Sequence, residues 1–279
     1  MKEFLKSIPP LRRAVRSGKA VLADLKLESH KRKLFGSLAK MVPPPRFMHD
    51  GPANYQSFYD NGREFFDIFT RECGLSPQAK ILDVGSGIGR KTIPLTQFLA
   101  KNGSYDGIDI VKKGINWCQS HISRRHPNFR FQHIDVYSKF YNPKGAVRSS
   151  DFRFPFADAS FDFVILTSVF THMVKADMDH YMGEIKRVLK VGGTCLISYL
   201  LINDESNALF DQWTWKLLPN GDESMVLDQN DPEHLIAHPE SLVRAQFAKH
   251  GLTIENTAYG SWCGRKEFRS FQDLIIARR

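Results

Sequence analysis

Apolar and polar positions along this chain change their period near residue 80. Before it the spacing is helical. Leu11, Val15, Leu22 and Leu25 fall close to one helical face, as do Leu34, Phe35, Leu38 and Met41, so residues 1–50 predict two or three short helices. Arg12-Arg13 and Lys31-Arg32-Lys33 lie off those faces. Pro43-Pro44-Pro45 closes the region, because consecutive prolines cannot continue a helix. Residues 46–59 predict an irregular aromatic stretch containing Tyr55, Phe58 and Tyr59. A helix from about Asp60 then turns Phe65, Phe66, Ile68 and Phe69 inward, with Gly74 near its end.

From residue 80 short apolar runs alternate with helical spacing. Strands are predicted at 80–84, Tyr105 to Ile110, Phe129 to Ile134, Phe161 to Thr167 and Thr194 to Leu201. Helical patterns fall between them, through Ile93, Leu95, Phe98 and Leu99, then Ile115, Trp117 and Ile122, then 176–190, closed by Gly192-Gly193. After an insertion over 203–239 come a helix, Glu240 to His250, and two strands near 252–258 and 270–278, spaced for an antiparallel hairpin at a sheet edge. The expectation is an α/β fold: a seven-stranded, mostly parallel sheet with helices on both faces and a helical N-terminal cap. Residues 1–59 would form the cap and 60–279 the core.

Composition, 42% hydrophobic and 25% charged, is that of an ordinary globular chain. The net charge of +9 is lopsided: residues 1–50 hold twelve Lys/Arg against four Asp/Glu, leaving about +1 for the remainder. The basic character therefore belongs to the cap. Its expected roles are a solvated helix face, or contact with anionic membrane or substrate. Cys73, Cys118, Cys195 and Cys263 form no CxxC pair, which argues against a disulfide framework or zinc site. With no apolar run of spanning length and no secretory h-region at Met1–Lys6, a cytoplasmic location is expected, peripheral to the membrane's inner face if the cap binds there.

Candidate chemistry begins where the first strand runs into glycines, Ile81-Leu82-Asp83-Val84-Gly85-Ser86-Gly87-Ile88-Gly89. Strand, glycine turn and helix present bare backbone and a helix N-terminus to a ligand. Asp109 ends the second strand, 20 residues after Gly89, where an acid accepts from both ribose hydroxyls of a nucleotide-like ligand. Asp135, followed by Val136, ends the third strand, where a carboxylate accepts from an adenine amino group. Asp83, inside its strand, requires hydrogen bonds or a nearby cation. The plain alternative for each acid is a turn or cap role.

These residues resemble the class I S-adenosylmethionine-dependent methyltransferases over roughly 61–279. The family's acid two residues before GxGxG matches Asp83, Gly85, Gly87 and Gly89, and its later strand acids match Asp109 and Asp135. Its central strand with the preceding loop matches Phe154-Pro155-Phe156 and Ser160–Val164, and its later pattern matches Glu184–Gly193. The resemblance implies that the last strand is antiparallel and that S-adenosylmethionine is the cofactor. The loop with Ser86 would lie along its methionine part, Asp109 with Ile110 would hold the ribose, Asp135 and Val136 would read the adenine, and Thr167-Ser168 would approach the amino-acid end. Asp83 would favour the sulfonium, and Arg90 reads as a structural ion-pair residue.

Methyl transfer then needs alignment and removal of a proton. His172, just past the fourth strand, is the candidate base. Some small-molecule members resemble this chain in placing a His there, paired with a cap tyrosine, which implies Tyr55 or Tyr59. His133, His180, His234 and His238 read as surface or packing residues, without metal-ligand spacing. The insertion, with Trp213, Trp215, Asp222, Glu223 and Asp228, would either wall the acceptor site or simply pack. The expected activity is methylation of a small-molecule or sugar/glycan acceptor, a lipid-linked one included, at oxygen. Alternatives are an RNA methyltransferase using the basic cap and a non-catalytic S-adenosylmethionine-binding protein. Against RNA, the run Thr167-Ser168-Val169-Phe170 lacks the Asn/Asp-Pro-Pro-aromatic and Pro-Cys signatures. Oligomeric state is not encoded in any pattern here.

Overall fold

Residues 26–48, 51, 54–221 and 223–279 are described by the computed structural model; Leu11, Val15, Leu22, Leu25, Arg12, Arg13 and Asp222 lie outside them. In chain order the strands are β1 (Lys80–Val84), β2 (Ser104–Asp109), β3 (Phe129–His133), β4 (Phe161–Leu166) and β5 (Leu189–Tyr199). Four short strands follow, β6 (Leu201–Ile202), β7 (Leu218–Asn220), β8 (Ser224–Val226) and β9 (Ile236–Pro239), then β10 (Thr253–Ala258) and β11 (Asp273–Arg278). The main sheet has seven strands in the order β10-β11-β5-β4-β1-β2-β3. β1 to β5 pair in parallel, and β11, last in sequence, runs antiparallel to both neighbours. This is the expected architecture. No helix among the described residues is long and apolar enough to cross a membrane.

Alternation along each strand divides the core in two. Ile81, Phe163, Ile165, Leu274 and Ile276 face one cluster, whereas Leu82, Val164, Leu166, Ile275 and Ala277 face the other. Both sides being covered is why the strands read as unbroken apolar runs. The first face carries α1 (helical over 26–35), α2 (Tyr55–Asp67), α3 (Thr92–Leu95) and α4 (Lys112–Cys118). The second carries α5 (Lys175–Val188); beyond the turn of α6 (Asp204–Ala208), α7 (Glu240–Lys249) packs there too.

Four boundaries differ from expectation for local reasons. α2 starts at Tyr55, five residues early, because the Asn54 side chain accepts from the Ser57 N–H at 2.9 Å and caps it. α3 stops after one turn: the N–H groups of Thr96 and Gln97 reach back three residues, and the Thr96 hydroxyl takes the Ile93 carbonyl at 2.6 Å. α5 ends at Val188 and β5 begins at Leu189, with the glycine pair forming a bulge opposite Phe161–Phe163. The insertion is not plain loop either, since β6, β9, β8 and β7 make a second, four-stranded sheet.

That insertion is held to the main sheet by a buried charge cluster. Asp273, fully buried at the start of β11, accepts from the N–H groups of Leu201 and Gly260 at 2.7 Å each and from Trp262 Nε1 at 2.6 Å. Arg265, also buried, pairs with Asp273 at 3.0 Å and with Glu205 of α6 at 2.8 Å. Trp262 stands over Trp213 of the insertion, ring centroids 5.0 Å apart. Removing one partner of such a cluster strands a buried charge and several donors. Asp273→Ala is expected to lower unfolding free energy by about 3–5 kcal/mol, measured by urea denaturation; a loss below about 1 kcal/mol, the value of an exposed pair, would mean the cluster carries little.

Candidate active site

The C-terminal ends of the parallel strands open into a cavity of about 440 Å³, within the range of about 300–1,000 Å³ usual for small-molecule sites. Its floor is the turn after β1. Gly85, Gly87 and Gly89 all have positive φ (78°, 57° and 84°), which side-chain-bearing residues rarely adopt. Gly85 and Gly87 line the cavity. A Cβ on Gly85 would stand 2.5 Å from Val169 Cγ2, so the turn must be bare for the loop after β4 to close beside it. Gly89 serves packing instead: a Cβ there would meet Ile122 at 2.7 Å. Ser86 is buried and packs against Gly107 of β2, away from the cavity.

Asp109 ends β2. It lines the cavity, and its two carboxylate oxygens accept from the N–H groups of Gly87 and Val111, each at 2.7 Å. Those bonds join the loops after β1 and β2. Ile110, Val111, Ile134 and Val136 continue the wall, apolar enough to cover a flat heterocycle. Asp135 is exposed at the rim, takes the Asn142 amide at 3.3 Å and does not line the cavity.

Asp83 is not itself at the cavity surface. It is fully buried, accepts from the Tyr105 hydroxyl at 2.6 Å, and has Lys91 Nζ 3.7 Å from its other oxygen. The Thr92 hydroxyl in turn donates to Tyr105 at 2.8 Å. Burial pushes the Asp83 pKa up, while Lys91, Tyr105 and Arg90 pull it down. The cation answering this carboxylate is thus a protein lysine, which lines the cavity together with Arg90. Lys91 stands two residues after the last glycine, yet no sequence period marks it as buried.

Across the cavity, Thr167 closes β4, and Ser168 adopts φ +58°. The Ser168 N–H bonds Ser198 Oγ at 2.8 Å, and both hydroxyls converge on Gln272 Oε1, at 3.0 and 2.6 Å. His172 follows in the single turn Phe170–His172 and also lines the cavity. Buried His238 steadies that turn by donating from Nε2 to the Phe170 carbonyl at 3.0 Å, a packing role as expected. His172 Nδ1 lies 3.0 Å from the Glu233 carbonyl. A carbonyl only accepts, so Nδ1 bears the proton and the neutral ring keeps Nε2 as its base. Burial pushes the His172 pKa below its ordinary value, partly offset by that carbonyl.

The expected tyrosine partners are not beside it. Tyr55 and Tyr59 pack edge-on against Phe35 in the cap, at 6.5 and 5.2 Å, outside the cavity lining. Gly51 of the cap, with Asn61 and Phe65 from α2, reaches the cavity instead. The tyrosine facing His172 is Tyr141, rings 5.4 Å apart and nearly perpendicular, from the 136–151 loop, where no sequence motif marked it. From the insertion come Trp215, Glu233 and Leu235; Trp213 is buried against Trp262, and Glu223 and Asp228 do not line the cavity.

Asp109→Ala removes both acceptors from the loop junction. S-adenosylhomocysteine affinity, read by titration calorimetry, is expected to fall about 100-fold or more, at about 1.5–3 kcal/mol per charged hydrogen bond. Unchanged affinity in a folded variant would remove Asp109 from the site.

The family described as a methyltransferase domain matches residues 82–197. The chain is 27% identical over 131 residues to an arsenite methyltransferase of Aquipseudomonas alcaligenes, covering 45% of this chain and 35% of that one. It thus spans about a third of the length of the first curated relatives it matches. It is 23% identical over 262 residues to the ubiquinone/menaquinone biosynthesis C-methyltransferase of Vibrio vulnificus, covering 88% and 94%. A methyltransferase structure from Methanosarcina mazei shares the fold with a TM-score of 0.52 at 21% identity, over 75% of this chain and 95% of that one. A methyltransferase domain thus runs from β1 to β5, with Asp109 closing a bare glycine turn, and the cofactor this domain implies is S-adenosylmethionine.

Proposed function

We propose that this protein transfers a methyl group to oxygen on a small-molecule acceptor, a sugar or glycan hydroxyl among the candidates, with His172 as general base. The observation that carries the reading is the Nδ1–H of His172 directed to the Glu233 carbonyl, which leaves Nε2 to take a proton in the cavity that Gly85, Gly87 and Asp109 also line. When bound, S-adenosylmethionine supplies an electrophilic methyl group on a sulfonium sulfur. Gly85 and Gly87 would lie along it, Asp109 would hold its ribose, and Ile110, Ile134 and Val136 would cover its adenine. Tyr141, Trp215 and Phe271 would wall the acceptor, with Glu233 among its polar groups. The quinone relative is named for carbon methylation, and the same base would serve an acidic carbon acceptor.

Because burial lowers the His172 pKa, the base form is fully present at pH 7 and is lost as pH falls through a value below about 6.5. The expected kcat/KM profile therefore rises from acid and is flat above neutrality. His172→Ala is expected to lose about 10²- to 10⁴-fold in turnover at pH 7, together with the acid limb. Labelled-donor turnover against sugars, amines and quinols identifies the acceptor. Near-normal turnover of the variant from about pH 6 to 9 removes His172 from the chemistry.

A further inference from the structure

Two carboxylates line the cavity, Asp109 and Glu233. Both oxygens of Asp109 already accept backbone N–H groups. The half-buried Glu233 carboxylate has no hydrogen bond or ion pair among the described residues. Burial pushes its pKa up, and the carboxylates of Asp177 and Asp231 push it further; Lys139 pulls it down, but is paired with Asp231 at 3.3 Å. The basic residues of the wall, Arg90 and Lys91, stand together after the glycine turn. In a chain of net charge +9, Glu233 is thus a carboxylate for which the fold supplies no dedicated counter-ion.

Two further observations point to a ligand there. Thr171, next to His172, lines the cavity and is fully buried, and its hydroxyl has no partner among the described residues. A polar group on a ligand would satisfy it. Tyr137, Tyr141, Trp215 and Phe271 line the same cavity, with the Trp215 and Phe271 rings 5.7 Å apart and Tyr141 edge-on to His172. Aromatic faces attract a cation. Glu233 also takes the His172 Nδ1–H through its main-chain carbonyl, so one residue both orients the base and offers the charge.

We propose that Glu233 is the counter-ion for a cationic acceptor, an amino alcohol or amino sugar whose hydroxyl meets His172 while its ammonium lies on the Glu233 carboxylate; this rests on the acceptor placement given above. Held as an ammonium, the nitrogen has no lone pair, and the hydroxyl oxygen is left as the nucleophile. Its proton passes to His172 Nε2, the O–CH3 bond forms, and the electron pair of the broken C–S bond stays on sulfur. Glu233 would therefore select both the acceptor and the atom methylated.

The test uses matched probes at pH 7: 2-amino-1-phenylethanol against 1-phenyl-1,2-ethanediol, and glucosamine against glucose. Each pair exchanges an ammonium for a hydroxyl and keeps the rest. Titration calorimetry with S-adenosylhomocysteine bound is expected to show the ammonium member of at least one pair binding about 10- to 100-fold more tightly, the effect of one charge-assisted hydrogen bond. Glu233→Gln keeps the main-chain carbonyl and loses only the charge, and is expected to remove that preference. Thr171→Val is expected to weaken both members of the pair and keep the preference. No preference for the ammonium in either pair, or a preference that survives Glu233→Gln, refutes the counter-ion. Near-normal turnover of His172→Ala would instead remove the base and leave the ammonium preference standing, so the two readings fail separately.

Discussion

A carboxylate taken out of water must find donors or a cation, and three of the buried ones, each on a strand whose end shapes the cavity, find them differently. Asp83 in β1 recruits Tyr105 and Lys91. Asp109 at the end of β2 recruits the backbone of the first and second loops. Asp273 in β11 recruits Leu201, Gly260, Trp262 and Arg265. Each requirement is met by a different kind of donor, and each consequence is local. The first places a cation in the cavity wall, the second holds the glycine turn open, and the third anchors the insertion over the sheet.

The cavity acquires its roof by a second set of contacts, made between segments with no regular pairing to the main sheet. The 136–151 loop meets the insertion through an ion pair of Lys139 with Asp231 at 3.3 Å and a stack of Phe140 on His234 at 5.2 Å. His172, reaching to Glu233, ties the end of β4 into the same junction. His172, the aromatic side chains Tyr141 and Phe140, and Glu233 therefore belong to one assembly. Its geometry depends on loop-to-loop contact, whereas the side of the cavity along Gly85, Gly87 and Asp109 depends on strand ends and backbone. One side is suited to a constant ligand and the other to a variable one.

Much of this was legible in the residues. β1, β4, β5 and β11 were readable because strands buried on both faces are mostly apolar runs. Gly85, Gly87 and Asp109 were readable because a bare turn followed by a strand-end acid is a local pattern. The presence of His172 in the cavity wall was readable because it lies in the loop that leaves the central strand. Tyr55 and Tyr59 were misplaced because an aromatic in a cap gives the same signal whether it faces a ligand or Phe35. Lys91, Tyr141, Glu233 and Gln272 left no signal at all, since each reaches the cavity through partners far away in sequence.

Period and turn chemistry alone were enough to determine the order of strands and helices, the open glycine turn and the acid beside it, because those rest on interactions among residues a few positions apart or on burial common to a whole strand. Only the tertiary structure decided which tyrosine meets His172, which cation answers Asp83 and which residues of the insertion line the cavity. Those choices turn on distances between loops that no local pattern encodes, and on buried charges that accept whichever partner the folded chain brings within reach.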